Sequence, residues 1–251
     1  MSDVQLCFAR PSKDARASYE AAIEENPANG DLPTPGRRKK RAVAAFSRLW
    51  ANGRTLKIAF TDDDLTESHQ QAIMHAINQW QPYVSLVFEF IDGREGAPEY
   101  GKGDIRITTD VGPGLNYTLI GTDAKLNDPW TPTMVLGVKP DDPKFESIVM
   151  HEFGHALGAE HEHQHPEADI PWDLPAVYAH YAAAGYTKET VDESVLSILK
   201  SVGATHTAYD RDSIMHYPIP NKITLGDWEV GDNRTLSDKD KAFMRKAYPK
   251  H

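Results

Sequence analysis

The sequence predicts an α+β fold, because strand-like and helical segments alternate in its first part and loops dominate its last part. Two alternating apolar segments, 54–60 and 83–90, flank a helical pattern over 64–81. Two further short strands are expected at 104–109 and 133–138. These segments form a sheet with one helix behind it.

Local signals support each of these elements. The segment 54–60 has Leu56, Ile58 and Phe60 at every second position, as a half-buried strand does. The helix at 64–81 starts at a capping box that pairs Asp64 with Glu67. These signals predict that the main body begins with a strand and continues with a helix.

A second long helix opens at Asp142 and Pro143, which suit the N-cap and first helical positions. It ends near Gly158, a residue that accepts the left-handed conformation common after helices. The chain beyond is rich in loops. Its regular parts are two helices, at 175–184 and 188–202, and a final helix opened by Ser237 and Asp240.

Size and charge exclude several classes of protein. The chain has 251 residues, 40% of them hydrophobic, which is enough for a real core. The net charge of −10 argues against nucleic-acid binding. No stretch approaches the 18 apolar residues of a membrane span. We expect a monomer that acts on a protein or peptide.

Cys7 is the only cysteine, so an internal disulfide and a cysteine-based zinc cluster are both excluded. The N-terminus shows no signal peptide. A cytoplasmic or non-classically secreted protein is expected, and secretion stays open if a leader has been lost.

The segment HEFGHALGAEH, residues 151–161, organises the functional prediction. His151 and His155 are four residues apart, so a helix points both imidazoles to one side. Glu152 follows His151 directly, so its side chain points about 100° further round the helix. From there it can reach a water that is bound to the metal. Gly158 allows a turn that brings His161 back as a third ligand. Three imidazoles and one open position are typical of a catalytic zinc site.

A zinc ion held by three neutral imidazoles lowers the pKa of bound water from 15.7 to roughly 7. Glu152 can then accept a proton from that water and deliver it to a leaving amine. The combination predicts hydrolysis of a peptide bond, with one catalytic Zn²⁺ as the cofactor.

This extended motif resembles that of the metzincin zinc endopeptidases, and SIMHY (213–217) is similar to the methionine turn of the astacin family of peptidases. The resemblance also covers LWANGRTLKIAF (49–60) and HEHQHPEAD (161–169). It implies that Met215 packs under the metal. It also implies that Tyr217 is a movable ligand that stabilises the oxyanion. Without disulfides, the chain looks like a cysteine-poor microbial branch of the family.

The resemblance implies a metzincin (zincin-like) fold: a twisted mixed sheet with a backing helix and an active-site helix, then an irregular C-terminal subdomain with a final helix. The catalytic domain is expected at 42–251, divided into subdomains at 42–158 and 159–251. In metzincins an edge strand pairs with extended substrate, and 131–138 is the candidate here.

Residues 1–41 form an N-terminal extension that is a possible propeptide. It contains a helix at 12–26 capped by Ser12, a Pro- and Gly-rich linker at 27–36 and the basic run RRKKR at 37–41. The basic run suits either a first helical turn or a processing site.

Two residues of the extension are candidate latency switches. Cys7 suits the cysteine switch of some metzincins, and Asp31 after Gly30 suits the aspartate switch of astacins, although Ala28 replaces the expected aromatic residue. In astacins a glutamate at the position of Glu162 pairs with the freed N-terminus.

Other interpretations of the same residues stay open. A non-catalytic protein could keep zinc for structure and hold peptides in the cleft, although such a site has no need of Glu152. A metzincin of another subfamily is the second alternative. The remaining histidines near the motifs are expected in supporting or surface roles: His163, His165, His206 and His216.

Overall fold

The computed structural model describes residues 7–10, 12–30, 46–199 and 207–250. The strands in these ranges are β1 (Phe8–Arg10), β2 (Thr55–Phe60), β3 (Val87–Asp92), β4 (Ile105–Thr108), β5 (Asn116–Leu119) and β6 (Met134–Leu136). The α-helices are α1 (Ala15–Glu25), α2 (Glu67–Asn78), α3 (Phe145–Ala156), α4 (Leu174–Ala182), α5 (Lys188–Val191) and α6 (Asp238–Ala247).

The sheet is mixed, as predicted, and its strand order is β1-β5-β6-β4-β2-β3. Strands β5 and β6 pair antiparallel, whereas the other pairs between the described strands are parallel. Strand β1 comes from the N-terminal extension and pairs with β5. The edge of the main body's sheet is therefore covered by a segment of the same chain.

The main core lies between the sheet and helices α2 and α3. Alternation along β2 places Leu56 and Ile58 in this core, and the apolar face of α2 contributes Ile73 and Ile77. Phe153 on α3 is also fully buried in it. Burial of these apolar side chains fixes α3, and hence its histidines, against the sheet.

Three predicted helix starts were wrong by two residues. The N-caps are Asp14, Thr66 and Lys144, instead of Ser12, Asp64 and Asp142. The Asp14 side chain accepts from the N–H groups of Arg16 and Ala17, and the Thr66 side chain accepts from the His69 N–H, as N-cap residues do. Asp142 instead accepts from the Lys144 N–H in the turn before α3.

The predicted substrate-binding edge at 131–138 was also wrong. Strand β6, which lies in this segment, is interior, with β5 on one side and β4 on the other. At this end of the sheet the outermost strand of the main body is β5, which apolar alternation did not identify because its buried positions, Asn116 and Thr118, are polar. The cleft side of the sheet is therefore formed by β5.

The C-terminal part is irregular except for its helices, as expected. Helix α5 passes into a π-helix over Asp192–Leu196, so regular structure ends before the predicted 202. The final helix, α6, begins at a capping box in which Ser237 and Asp240 bond each other's backbone N–H groups, as predicted. A second apolar cluster lies here and contains Val177 and Ile219.

Helix α1 of the extension packs against the main body through Ala21 and Ala22, which are buried. None of the described helices is long and apolar enough to cross a membrane. The basic run at 37–41 and Asp31 lie outside the described residues.

Candidate metal centre and catalytic site

Helix α3 presents two of the three predicted ligands, and the turn after it supplies the third. His151 and His155 share one face, with ring centroids 4.8 Å apart. Gly158 has a φ of +94°, the left-handed conformation expected from the motif. The chain reverses there and brings the His161 ring to 4.5 Å from that of His155. The structure thus brings the three histidines together.

Backbone carbonyls set the tautomers of the two helical ligands. The Nδ1 of His151 lies 2.7 Å from the Ile214 carbonyl oxygen, and the Nδ1 of His155 lies 2.8 Å from that of Ala159. Because a carbonyl only accepts hydrogen bonds, each Nδ1 carries the proton and each Nε2 keeps a lone pair. Burial lowers the pKa of His151 to about 4, so its ring is neutral at pH 7.

Cys7 completes a four-donor cluster. Its Sγ and one nitrogen of each of His151, His155 and His161 all lie within 4.8 Å of one another. The Nε2 atoms of His155 and His161 are 3.0 Å apart, and the Nε2 of His151 is buried without a protein partner. A tetrahedral zinc site places its donors about 3.3–3.6 Å apart. Three neutral imidazoles and one sulfur therefore fit a zinc ion.

Glu152 lies beside this cluster and is fully buried. Its Oε1 accepts from the Cys7 Sγ at 2.8 Å, and its Oε2 accepts from the Thr118 Oγ1 at 2.8 Å. Burial raises the pKa of Glu152 to about 7, and the two hydrogen bonds oppose that shift. A carboxyl group with a pKa near neutrality can both accept and return a proton.

Tyr217 lies on the other side of the cluster. Its hydroxyl donates to the Cys7 carbonyl oxygen, and its ring centroid lies 4.4 Å from that of His161. The ring also stacks on His163 at 4.2 Å and 21°. Burial raises the pKa of Tyr217 well above its usual value, so the phenol is a hydrogen-bond donor at neutral pH.

The main body matches a known family. Residues 42–249 match the family model of Astacin, a family of peptidases. The chain belongs to the astacin family. The predicted family, the predicted class of zinc metallopeptidase and the predicted zinc cofactor are thereby confirmed. No finding supports the non-catalytic alternative, and assignment to another metzincin subfamily is excluded.

Two solved structures of proteases resemble the structure of this chain. The structure of myroilysin is 33% identical and superposes with a TM-score of 0.73 over 81% of this chain and 97% of that chain. High choriolytic enzyme 1, a hatching enzyme zinc-protease from Oryzias latipes, is 15% identical with a TM-score of 0.55, over 85% of this chain and 99% of that one. The second likeness shows the fold alone, and together they confirm the predicted fold.

A curated relative is Zinc metalloproteinase dpy-31 of Caenorhabditis elegans, which is 24% identical over 253 residues. The alignment covers 94% of this chain and 37% of that protein. The chain thus spans a little over a third of the length of this relative.

The methionine turn of this astacin chain lies directly below α3. The side chain of Met215 is buried, and a Cβ added at Gly154 would collide with its Sδ. Any side chain at position 154 would therefore force Met215 to shift from its place under the helix. Sequence reasoning did not single out Gly154, although a second glycine inside the histidine motif was an available signal.

The other predicted residues are not ligands in this arrangement. Glu162 accepts from the Asp210 N–H at 2.7 Å, and burial raises its pKa to about 7. His163 stacks on Tyr217, and the Nε2 of His216 lies 2.8 Å from the Tyr209 hydroxyl oxygen. Supporting roles were expected for these histidines. His206 lies outside the described residues.

Thr118 is the contact residue that the sequence did not reveal. It lies on β5, 34 residues before Glu152, and nothing in the local pattern marks it. Cys7 was a candidate switch by composition alone, because 145 residues separate it from Glu152.

Proposed function

We propose that this chain is a zinc-dependent endopeptidase held in a latent form by its own N-terminal extension. The observation that carries the proposal is the position of Cys7. Its thiol lies beside the three histidines and donates a hydrogen bond to Glu152, and its carbonyl oxygen accepts a hydrogen bond from Tyr217. A single residue therefore occupies the positions that a reacting peptide and water need.

In the active form, three groups of this chain act on an extended peptide. Bound Zn²⁺ supplies a Lewis acid that acidifies water and polarises a carbonyl group. Glu152 accepts the proton of the attacking water and returns it to the leaving amine, which cleaves the peptide bond. The Tyr217 hydroxyl donates to the developing oxyanion, a contact that stabilises the transition state.

The extension also covers the sheet edge that a substrate needs. Strand β1 pairs with β5 from Phe8 opposite Tyr117 to Arg10 opposite Leu119. While this pairing lasts, the backbone groups of that side of β5 are not available to an extended substrate. Removal of β1 exposes them, and we infer that a peptide substrate pairs there.

Contacts outside the cleft hold the rest of the extension. The buried carboxylate of Asp123 accepts from the Ser18 hydroxyl at 2.5 Å and from the Ser12 N–H at 2.8 Å. Glu25 pairs with both Arg54 and Lys125 at 2.9 Å, and its side chain is 4% exposed. These contacts support residues 12–30 as an anchored part of an inhibitory segment.

The experiment is a cleavage assay with a mixed fluorogenic peptide library, with and without a zinc chelator. We expect low turnover by the unprocessed wild-type chain and at least a tenfold increase in the Cys7→Ala variant, because the thiol no longer occupies the site. The chelator should abolish both activities.

Ser18→Ala is the matched control, because it alters the extension outside the cleft and leaves the thiol in place. It should give far less activation than Cys7→Ala. Equal turnover by wild type and Cys7→Ala would contradict the latency, and chelator-resistant cleavage would contradict zinc dependence.

A further inference from the structure

The two oxygens of Glu152 have different neighbours. Oε1 accepts from Cys7 and so faces the histidine cluster, whereas Oε2 accepts from Thr118 and faces the sheet. Among the described residues, these two are the side chains that hydrogen-bond this carboxylate. Once Cys7 has left, the bond to Thr118 is the contact that still distinguishes the oxygens.

The sheet holds Thr118 in a fixed position. Along β5, Asn116 and Thr118 are buried while Tyr117 and Leu119 are partly exposed, so the strand alternates and turns Thr118 towards α3. Thr118 is opposite Met134 of β6, and the Asn116 side chain accepts from the Val138 N–H at 3.1 Å. The side chain of Thr118 is 1% exposed and β-branched, so its rotamer is restricted.

We propose that Thr118 is a positioning residue for Glu152 in the peptidase reaction. Its hydroxyl holds Oε2, so that Oε1 is the oxygen that meets the attacking water. The terminal torsion angle of a glutamate has a broad distribution. A carboxylate without this hydrogen bond would therefore rotate, and either oxygen could face the water. The inference rests on the proposed role of Glu152 as general base.

Two substitutions separate the hydroxyl from the shape of the side chain. Thr118→Val keeps the branched shape and removes the donor, whereas Thr118→Ser keeps the donor. In the full chain carrying Cys7→Ala, we expect Thr118→Val to lower kcat about ten- to a hundredfold, the worth of one hydrogen bond to a charged group. KM should stay within twofold, and Thr118→Ser should recover most of kcat.

Failure of this inference and failure of the proposed function give different results. Turnover by Glu152→Gln at the parent rate contradicts the general base itself. An inactive Glu152→Gln together with a fully active Thr118→Val overturns the role of Thr118 alone. A rise in KM with kcat unchanged also overturns it, because the role predicts an effect on the chemical step.

Crystal structures of the zinc-loaded variants give a readout that needs no turnover. In the Cys7→Ala background, the Glu152 carboxylate should turn from its orientation in the parent chain in Thr118→Val and keep that orientation in Thr118→Ser. An unchanged carboxylate in Thr118→Val overturns the proposal. If the valine variant does not fold, Thr118→Ala in the same two measurements decides the question.

Discussion

At the scale of single residues, hydrogen bonds hold one polar atom of a site residue and leave its other polar atom facing the histidine cluster. The Nδ1 atoms of His151 and His155 are bound to carbonyl oxygens, which leaves their Nε2 atoms for a metal. Glu152 has one oxygen held by Thr118 and the other turned towards the cluster. The proposed ligands and the proposed base thus have different partners, so substitutions can test their roles separately.

In the chain carrying Cys7→Ala, we expect Glu152→Gln to keep zinc and lose peptidase activity by a factor on the order of 10²–10⁴, the usual contribution of a general base. Glutamine has the same size and can still accept the hydrogen bond from Thr118, so the ligands stay in place. Mass spectrometry of the native protein measures zinc content, and the peptide library measures activity.

Glu146→Gln is the matched control for this experiment, because Glu146 lies on the same helix with a side chain that is 53% exposed. It should leave zinc content and turnover unchanged. Full activity in Glu152→Gln would exclude this residue as the base.

The sequence predicted that the three histidines and Glu152 would lie together, because their placement depends on local geometry. A helix places residues four apart on one face, and a glycine allows the turn to His161. Cys7 and Thr118 depend on tertiary contacts over 145 and 34 residues, for which a local pattern holds no information. The sequence therefore predicted the zinc chemistry but not how Glu152 is held.

At the scale of elements, the last helix supports the methionine turn. Asp240 of α6 accepts from the Ser213 hydroxyl at 2.6 Å, from the Ile214 N–H at 2.8 Å and from the Ser237 N–H at 2.9 Å. Its side chain is buried, and Met215 follows directly in the turn. The capping box of α6 thus also fixes the chain beneath the histidines.

We expect Asp240→Asn to lower the free energy of unfolding by about 2–4 kcal/mol, because the neutral amide loses the charge that strengthens these three hydrogen bonds. Urea unfolding followed by circular dichroism measures this change. Asp238→Asn is the control on the same helix, since the Asp238 side chain is fully exposed, and it should unfold near the wild-type midpoint. Equal midpoints for both variants would show that the contact carries no stability.

Elements were predicted well where a local signal marks them, as the apolar alternation of β2 and the capping box of α6 show. Strand β5 was missed because the side chains that it buries are polar, so 131–138 was assigned the place at the edge of the main body that β5 holds. Strand order is a property of the whole sheet, and apolar alternation in one segment does not encode it.

At the scale of the whole molecule, the extension consists of an arm in the cleft and an anchor outside it. Cys7 and β1 form the arm, and α1 with the residues up to Gly30 forms the anchor. Asn29 of the anchor bonds both backbone groups of Leu49, at 3.0 Å to its N–H and 2.7 Å to its carbonyl. The anchor contacts do not involve Cys7.

We expect the extension to stay bound after the backbone is cut between residues 31 and 45. A recognition sequence for a specific protease inserted after Thr34 allows this cut, and size-exclusion chromatography then shows whether the two fragments co-elute. The fragments should co-elute in the wild-type chain and also in Cys7→Ala, because α1 keeps its contacts with Asp123, Arg54 and Lys125.

Immediate separation of the fragments in both chains would contradict the anchor. Separation only in Cys7→Ala would show that the thiol, and not α1, holds the extension.

The bond between the Tyr217 hydroxyl and the Cys7 carbonyl has a kinetic consequence. In the latent form that we propose, the three histidines, Glu152 and Tyr217 all lose the same residue when Cys7 leaves, so they are released together. During activation, each molecule is then either inactive or fully active. No molecule has an intermediate rate of peptide cleavage. Activity should consequently rise in strict proportion to the fraction of molecules in which the thiol is accessible to an alkylating reagent.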